Sequence, residues 1–136
     1  MKAINYQEIK VEKQKRYDAL LKECKIFWAF SNEQFMENKT ELKEGEKYVS
    51  IGAGGYMPKG YVTAFVDGQK DIEKWSKNEI KQSKQEEAEI AYELCNFECY
   101  YTGSIEDVIG ALPNYTPEQI QAVYDKNKKG YWANHD

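Results

Sequence analysis

Residues 48–61 constrain this chain more than any other stretch. They read Tyr48-Val49-Ser50-Ile51-Gly52-Ala53-Gly54-Gly55-Tyr56-Met57-Pro58-Lys59-Gly60-Tyr61. Val49 and Ile51 alternate with Tyr48 and Ser50, the period-two pattern of a half-buried strand. Gly52, Gly54 and Gly55 follow within four positions. Without side chains they admit positive φ and close backbone approach. Pro58 has its φ fixed near the helical value and no N–H to leave unpaired in a first turn. The segment therefore predicts a strand, a glycine turn and a helix start. Exposed N–H groups in that setting can cradle an anion. Neither phosphate-loop template fits, however: GxGxxG would need glycine at Met57, and GxxxxGK[ST] is absent.

The flanking segments supply the remaining elements. Tyr17, Leu20, Leu21 and Cys24 share one face of a first helix. Its polar early turns, through Gln14, are expected to be loose, as are residues 133–136. Ile26 to Phe30 is short and aromatic and predicts a strand. Ser31 and Gln34 form a capping box for a short helix ending near Asn38. After Pro58 a helix is expected to about residue 80, with a kink at Gly68. A further helix places Ala88, Ala91, Leu94 and Cys95 inward, and residues 98–102 read as a third strand. Ser104 and Thr116 mark two more helix starts, the second with Pro117 at the first helical position and Gln119 two residues on. That last helix is expected to stop before Gly130, with Tyr131 and Trp132 docking on the body. The predicted class is α+β, a small sheet of about three strands packed against several helices in a single domain over residues 1–136.

Composition excludes several functions. No apolar run approaches the roughly 20 residues of a membrane helix, and no hydrophobic leader opens the chain. A cytoplasmic protein without membrane contact is expected. Cys24, Cys95 and Cys99 have no framework spacing, and the single histidine is His135. No metal site, no cofactor, no triad and no histidine base are therefore expected. The net charge of -4 and the presence of one arginine, Arg16, among 19 basic residues argue against direct DNA binding.

Three motifs carry a resemblance. They are Phe27-Trp28-Ala29-Phe30-Ser31-Asn32-Glu33-Gln34-Phe35, Val49 to Tyr56, and Tyr92-Glu93-Leu94-Cys95-Asn96-Phe97-Glu98-Cys99-Tyr100. In their order, over residues 20–112, the chain resembles an uncharacterised family of short phage and prophage proteins from low-GC Gram-positive bacteria. It departs from that pattern at Phe97, where histidine is expected. The resemblance carries no activity, but a phage setting implies a protein that binds and blocks host machinery, as anti-CRISPR inhibitors do.

Two surfaces suit such a role. Glu86, Glu87, Glu89, Glu93, Glu98, Glu106 and Asp107 lie in a stretch, Gln85 to Gly110, without a lysine or arginine. They could imitate nucleic-acid phosphates and attract the basic groove of a bacterial host protein such as a defence nuclease. The plainer explanation is a solvated helix face whose first-turn acids favour the helix dipole. Alternatively, Phe30, Tyr56, Lys59 and Tyr61, with Gly52, Gly54 and Gly55, would line a pocket for a small signalling nucleotide. A third reading is an oligomeric phage accessory protein joined through aromatic surface. In all three the chain is expected not to be an enzyme.

Overall fold

The computed structural model describes residues 5–135, with side chains described to residue 130. The chain divides into two compact units, Gln7–Asn78 and Tyr6 together with the chain from Glu79 onward. Along the chain the elements are helix α1 (Tyr6–Glu23), strand β1 (Phe27–Trp28), helix α2 (Asn32–Asn38), strands β2 (Tyr48–Gly52) and β3 (Gly55–Pro58), and helices α3 (Val62–Gln82), α4 (Glu86–Asn96), α5 (Cys99–Thr102), α6 (Glu106–Ala111) and α7 (Pro117–His135). The α+β class holds.

In the unit Gln7–Asn78 the sheet has the order β1-β3-β2 and is antiparallel throughout. The glycine segment is a hairpin, which corrects the expected strand-turn-helix. Gly52 pairs with Gly55, and the two residues between them have positive φ, 52° at Ala53 and 82° at Gly54. Two positive φ values mark the mirror-image turn whose twist matches that of the strands it joins. Pro58 ends β3, and a 3₁₀ turn over Lys59–Tyr61 leads into α3. Helix geometry is thus reached one turn later than Pro58 predicts.

Four rings hold the sheet to α2. Phe27, Phe35, Tyr48 and Tyr56 lie with centroids 5.1–5.7 Å apart, mostly edge to face, with Phe27 and Tyr56 stacked. The Ser31 cap forms, with Gln34 N–H donating to Ser31 Oγ at 3.1 Å, but the Gln34 side chain reaches one residue further back than a capping box requires, its Oε1 accepting from Phe30 N–H at 2.9 Å. The Asn38 amide donates to the Trp28 carbonyl at 2.8 Å.

α1 and α3 bury Leu20, Cys24 and Ile72, with Tyr17, Ile26, Tyr61 and Phe65 around them. Gly68 does not break α3. A Cβ built there would lie 2.5 Å from Leu20 Cδ1 and 2.9 Å from Cδ2. The missing side chain is what lets Leu20 of α1 close on α3. The early turns of α1 are helical from Tyr6, with Ile9 buried, whereas residues 1–4 lie outside the described residues.

The other unit is all-helical among its described residues. Its core is Ile90, Leu94, Cys99, Tyr100, Val108, Ile120, Val123 and Tyr124. Residues 98–102, expected as a strand, form α5. This unit offers no strand to pair with, so a helical turn satisfies the backbone instead. Glu98 turns the chain with φ 54°, and Cys99 and Tyr100, adjacent in sequence, are both buried. The Tyr100 ring stacks on Tyr124 at 4.9 Å and 12°. Cys95, expected inward, is exposed. Ser104 accepts from Glu106 N–H, and α6 starts at Glu106. At Thr116 the expected box forms: Gln119 N–H donates to Thr116 Oγ1 at 3.1 Å, and Thr116 N–H donates to Gln119 Oε1 at 2.7 Å. α7 passes through Gly130 to His135 rather than stopping before it. The expected docking of Tyr131 and Trp132 concerns side chains outside the described residues; of residues 133–136, expected to be loose, 133–135 continue α7 and residue 136 lies outside the described residues.

Candidate functional site

The seven acids all belong to the helical unit, but they do different things there. Glu86, Glu87 and Glu89 occupy the first turn of α4, where the helix dipole favours them. Glu89 lies half-buried and accepts the Tyr115 hydroxyl at 2.7 Å. Burial, then that hydrogen bond and the nearby Glu89 charge, push the Tyr115 phenol upward. Tyr6 is raised likewise by burial, then by Glu89 and Glu93. Glu93 accepts from the Asn96 amide at 3.4 Å. The Tyr115 bond makes Glu89 part of how α4 and the α6–α7 connection are fastened, whereas the Glu93 bond stays within α4.

Glu87 is exposed, yet Lys126 of α7 reaches it at 2.6 Å. The lysine-free stretch therefore acquires a counter-charge from a distant part of the chain. Glu98, Glu106 and Asp107 form the outward group, all exposed. Glu98 precedes α5, and Glu106 and Asp107 open α6. Asp107 is close enough to Cys99 to raise its thiol, although burial is the larger cause. Tyr101, within α5, is 77% exposed. Tyr101 was hidden from sequence reasoning because residues 98–102 read as a strand. No helical offset from Glu98 marks it either, because Glu98 takes φ 54° and stands before α5.

The alternative set disperses over the other unit. Phe30, 77% exposed, lies over Gly54, where a Cβ would come 2.3 Å from its ring. Gly55 is buried under Trp28 and Ile51. Tyr56 is taken up by the four-ring cluster, and Tyr61 packs against Leu20, Cys24 and Ile72. Lys59 lines a separate groove with Lys43, Glu44, Glu46 and Lys47. Within that groove Glu46 accepts from Gly60 N–H at 3.3 Å and Lys43 N–H at 3.2 Å, closing the loop on the 3₁₀ turn. Phe30 and Gly54 are thus brought together, while Tyr56, Tyr61 and Lys59 each have separate surroundings.

A groove of about 590 Å³ runs along α3 and is lined by Val66, Gln69, Lys70, Glu73, Lys74, Lys77 and Asn78. These positions repeat at three and four, so they form one stripe of the helix. Glu73 is bound by Lys13 at 2.9 Å and by the Tyr17 hydroxyl at 2.9 Å. Burial works to raise its carboxyl, but those two hydrogen bonds and the charges of Lys13 and Lys77 outweigh it and hold the group below the usual range. Lys70, Lys74 and Lys77 thus give the groove a positive rim. Next to this stripe Arg16 lies 3.9 Å over the Trp75 ring.

Among the described residues, no helix is long and apolar enough to cross a membrane. Comparison with curated proteins and with solved structures finds no match. A family model does match over residues 5–133, and on that extent the chain belongs to a family of unknown function, DUF7659.

Proposed function

We propose that this chain is a non-enzymatic binding protein of phage type that inhibits a bacterial nucleic-acid-handling or defence protein, as anti-CRISPR proteins do, through its acidic surface. The supporting observation is the exposure of the corner where α5 leads into α6. Glu98, Glu106 and Asp107 are all exposed along it, and so is the ring of Tyr101. An exposed tyrosine on an acidic segment is a suitable anchor for a basic groove, because the ring supplies rigid contact area and the carboxylates supply steering. Glu86 and Glu87 extend the negative field, whereas Glu89 and Glu93 are drawn toward structural contacts.

The test follows from that division. Glu98→Gln, Glu106→Gln and Asp107→Asn together remove charge and leave the Tyr115–Glu89 bond intact. Wild-type and variant chains are immobilised and exposed to lysate of a low-GC Gram-positive bacterium, and the captured proteins are identified by mass. A basic nucleic-acid-handling protein held by wild type, released by salt and lost by the folded variant is the expected result. Equal capture by both chains, with equal salt dependence, overturns the reading.

A further inference from the structure

We infer that the lysine groove of α3 docks the acidic α5–α6 corner of a second copy of this chain. The two surfaces match in charge, and each leaves an apolar side chain open. The groove has Lys70, Lys74 and Lys77 on its rim, and its wall is mainly apolar, made by Val66 and the lysine stems. Val66 is 40% exposed, an apolar side chain left open at one end of the stripe. The corner offers the converse, an open aromatic ring, Tyr101, on a stretch of chain whose acids Glu98, Glu106 and Asp107 are all exposed. Tyr101 entering the groove would lie along Val66 and the lysine stems, with its ring face open to an ammonium group. The three carboxylates then meet the three lysines. Glu73, the one acid in the groove, does not oppose this, because Lys13 and Tyr17 already hold it.

Charge also decides the kind of partner. The whole chain carries a net charge of -4. A long polyanion such as DNA would meet that field along its length, whereas a compact acidic corner needs only the local positive stripe. This chain carries such a corner itself. The face is the one assigned to the host partner above, so self-association would hold it covered until a more basic groove displaces it. This regulatory step rests on that reading, but the docking itself does not.

Sedimentation at low salt reads the docking directly. Wild type is expected to associate with concentration, and association should weaken by about tenfold or more when salt rises to the physiological range, as exposed ion pairs are screened. Lys70→Glu, Lys74→Glu and Lys77→Glu together should leave a monomer with an unchanged circular dichroism spectrum. Glu98→Lys, Glu106→Lys and Asp107→Lys together should do the same, as should Tyr101→Ala alone. Mixing the two charge-reversed chains should restore association, since the acidic groove of one now meets the basic corner of the other. A wild type that is monomeric at low salt overturns the inference. So does association that survives the groove substitutions, or a mixture that stays monomeric. The groove variant keeps the acidic corner, so its capture of a host protein tests the proposed function separately.

Discussion

Gly68 gives a sharp test of how α1 meets α3. Replacing it by alanine has two opposed effects. Alanine in a helix interior is favoured over glycine by about 1 kcal/mol. The added methyl, however, would sit 2.5 Å from Leu20 Cδ1, 2.9 Å from Cδ2 and 3.3 Å from Cγ. Rotating Leu20 cannot clear both methyl groups at once, because the branch carbon itself is close. Overpacking of this kind costs roughly 1–3 kcal/mol. The net expectation for Gly68→Ala is a change between about zero and 2 kcal/mol of destabilisation. Leu20 is 8% exposed, and Leu20→Ala should cost about 2–5 kcal/mol as a buried large-to-small change. In that background the clash is gone, and Gly68→Ala should stabilise by about 1 kcal/mol, the helix preference alone. Urea unfolding of the four chains closes the cycle, with an expected coupling of about 1–3 kcal/mol. If Gly68→Ala has the same effect in both backgrounds, within about 0.5 kcal/mol, the glycine is not there for Leu20.

The hairpin turn supplies a second prediction: Ala53→Asn should raise the urea midpoint, because Ala53 holds a φ of 52° and asparagine adopts that region more readily. A lowered midpoint would mean the turn has another geometry. Gly54→Val should destabilise more than Gly45→Val in thermal melts, since both glycines have positive φ but only Gly54 lies under a ring, that of Phe30. Thr116→Ala should cost about 1 kcal/mol through loss of the cap on α7, and Thr116→Ser should recover most of it. The Glu73 carboxyl is held below its ordinary range, so its contribution to stability is present at neutral pH and lost as pH falls through the folded value. Tyr17 is pushed up to about 12 by burial first, then by its bond to Glu73 and that charge, so its contribution is full below 10.0 and is lost as pH rises toward about 12. Stability profiles of Glu73→Gln and Tyr17→Phe should lose the acid and alkaline components respectively, and profiles parallel to wild type would refute both assignments.

Local signals are legible where one residue type has one physical use. Ser31 with Gln34 and Thr116 with Gln119 specify helix starts through side-chain oxygens; both caps form, and the Thr116 box closes in both directions. Tyr17, Leu20 and Cys24 repeat at helical spacing and lie in the α1–α3 core or packed against it. Glycine and proline are less specific, since each permits several outcomes. Three glycines are compatible with a turn into a helix or into a strand, and the choice falls to pairing between β2 and β3, which involves Pro58 itself opposite Tyr48. Residues 98–102 have the composition of a strand, but the unit they join stacks Tyr100 on Tyr124 of α7. That contact joins residues 24 apart, beyond any local window. For the acids, sequence distance misled in the same way. The stretch 85–110 has no lysine of its own, yet α7 returns Lys126 to Glu87.

The Asn38 amide on the Trp28 carbonyl has a consequence for ageing of the molecule. β1 is the outer strand on its side of the sheet, with β3 on its other flank. A primary amide presents a donor to that carbonyl. Hydrolysis of the amide to a carboxylate would replace the donor with a second acceptor, now charged, facing the carbonyl at hydrogen-bond distance. Like dipoles repel there, so the end of α2 would swing from the strand and bare a backbone oxygen able to take a foreign strand's N–H. One slow chemical change in a surface side chain would thus turn a closed sheet margin into a sticky one, with no change to the hydrophobic core.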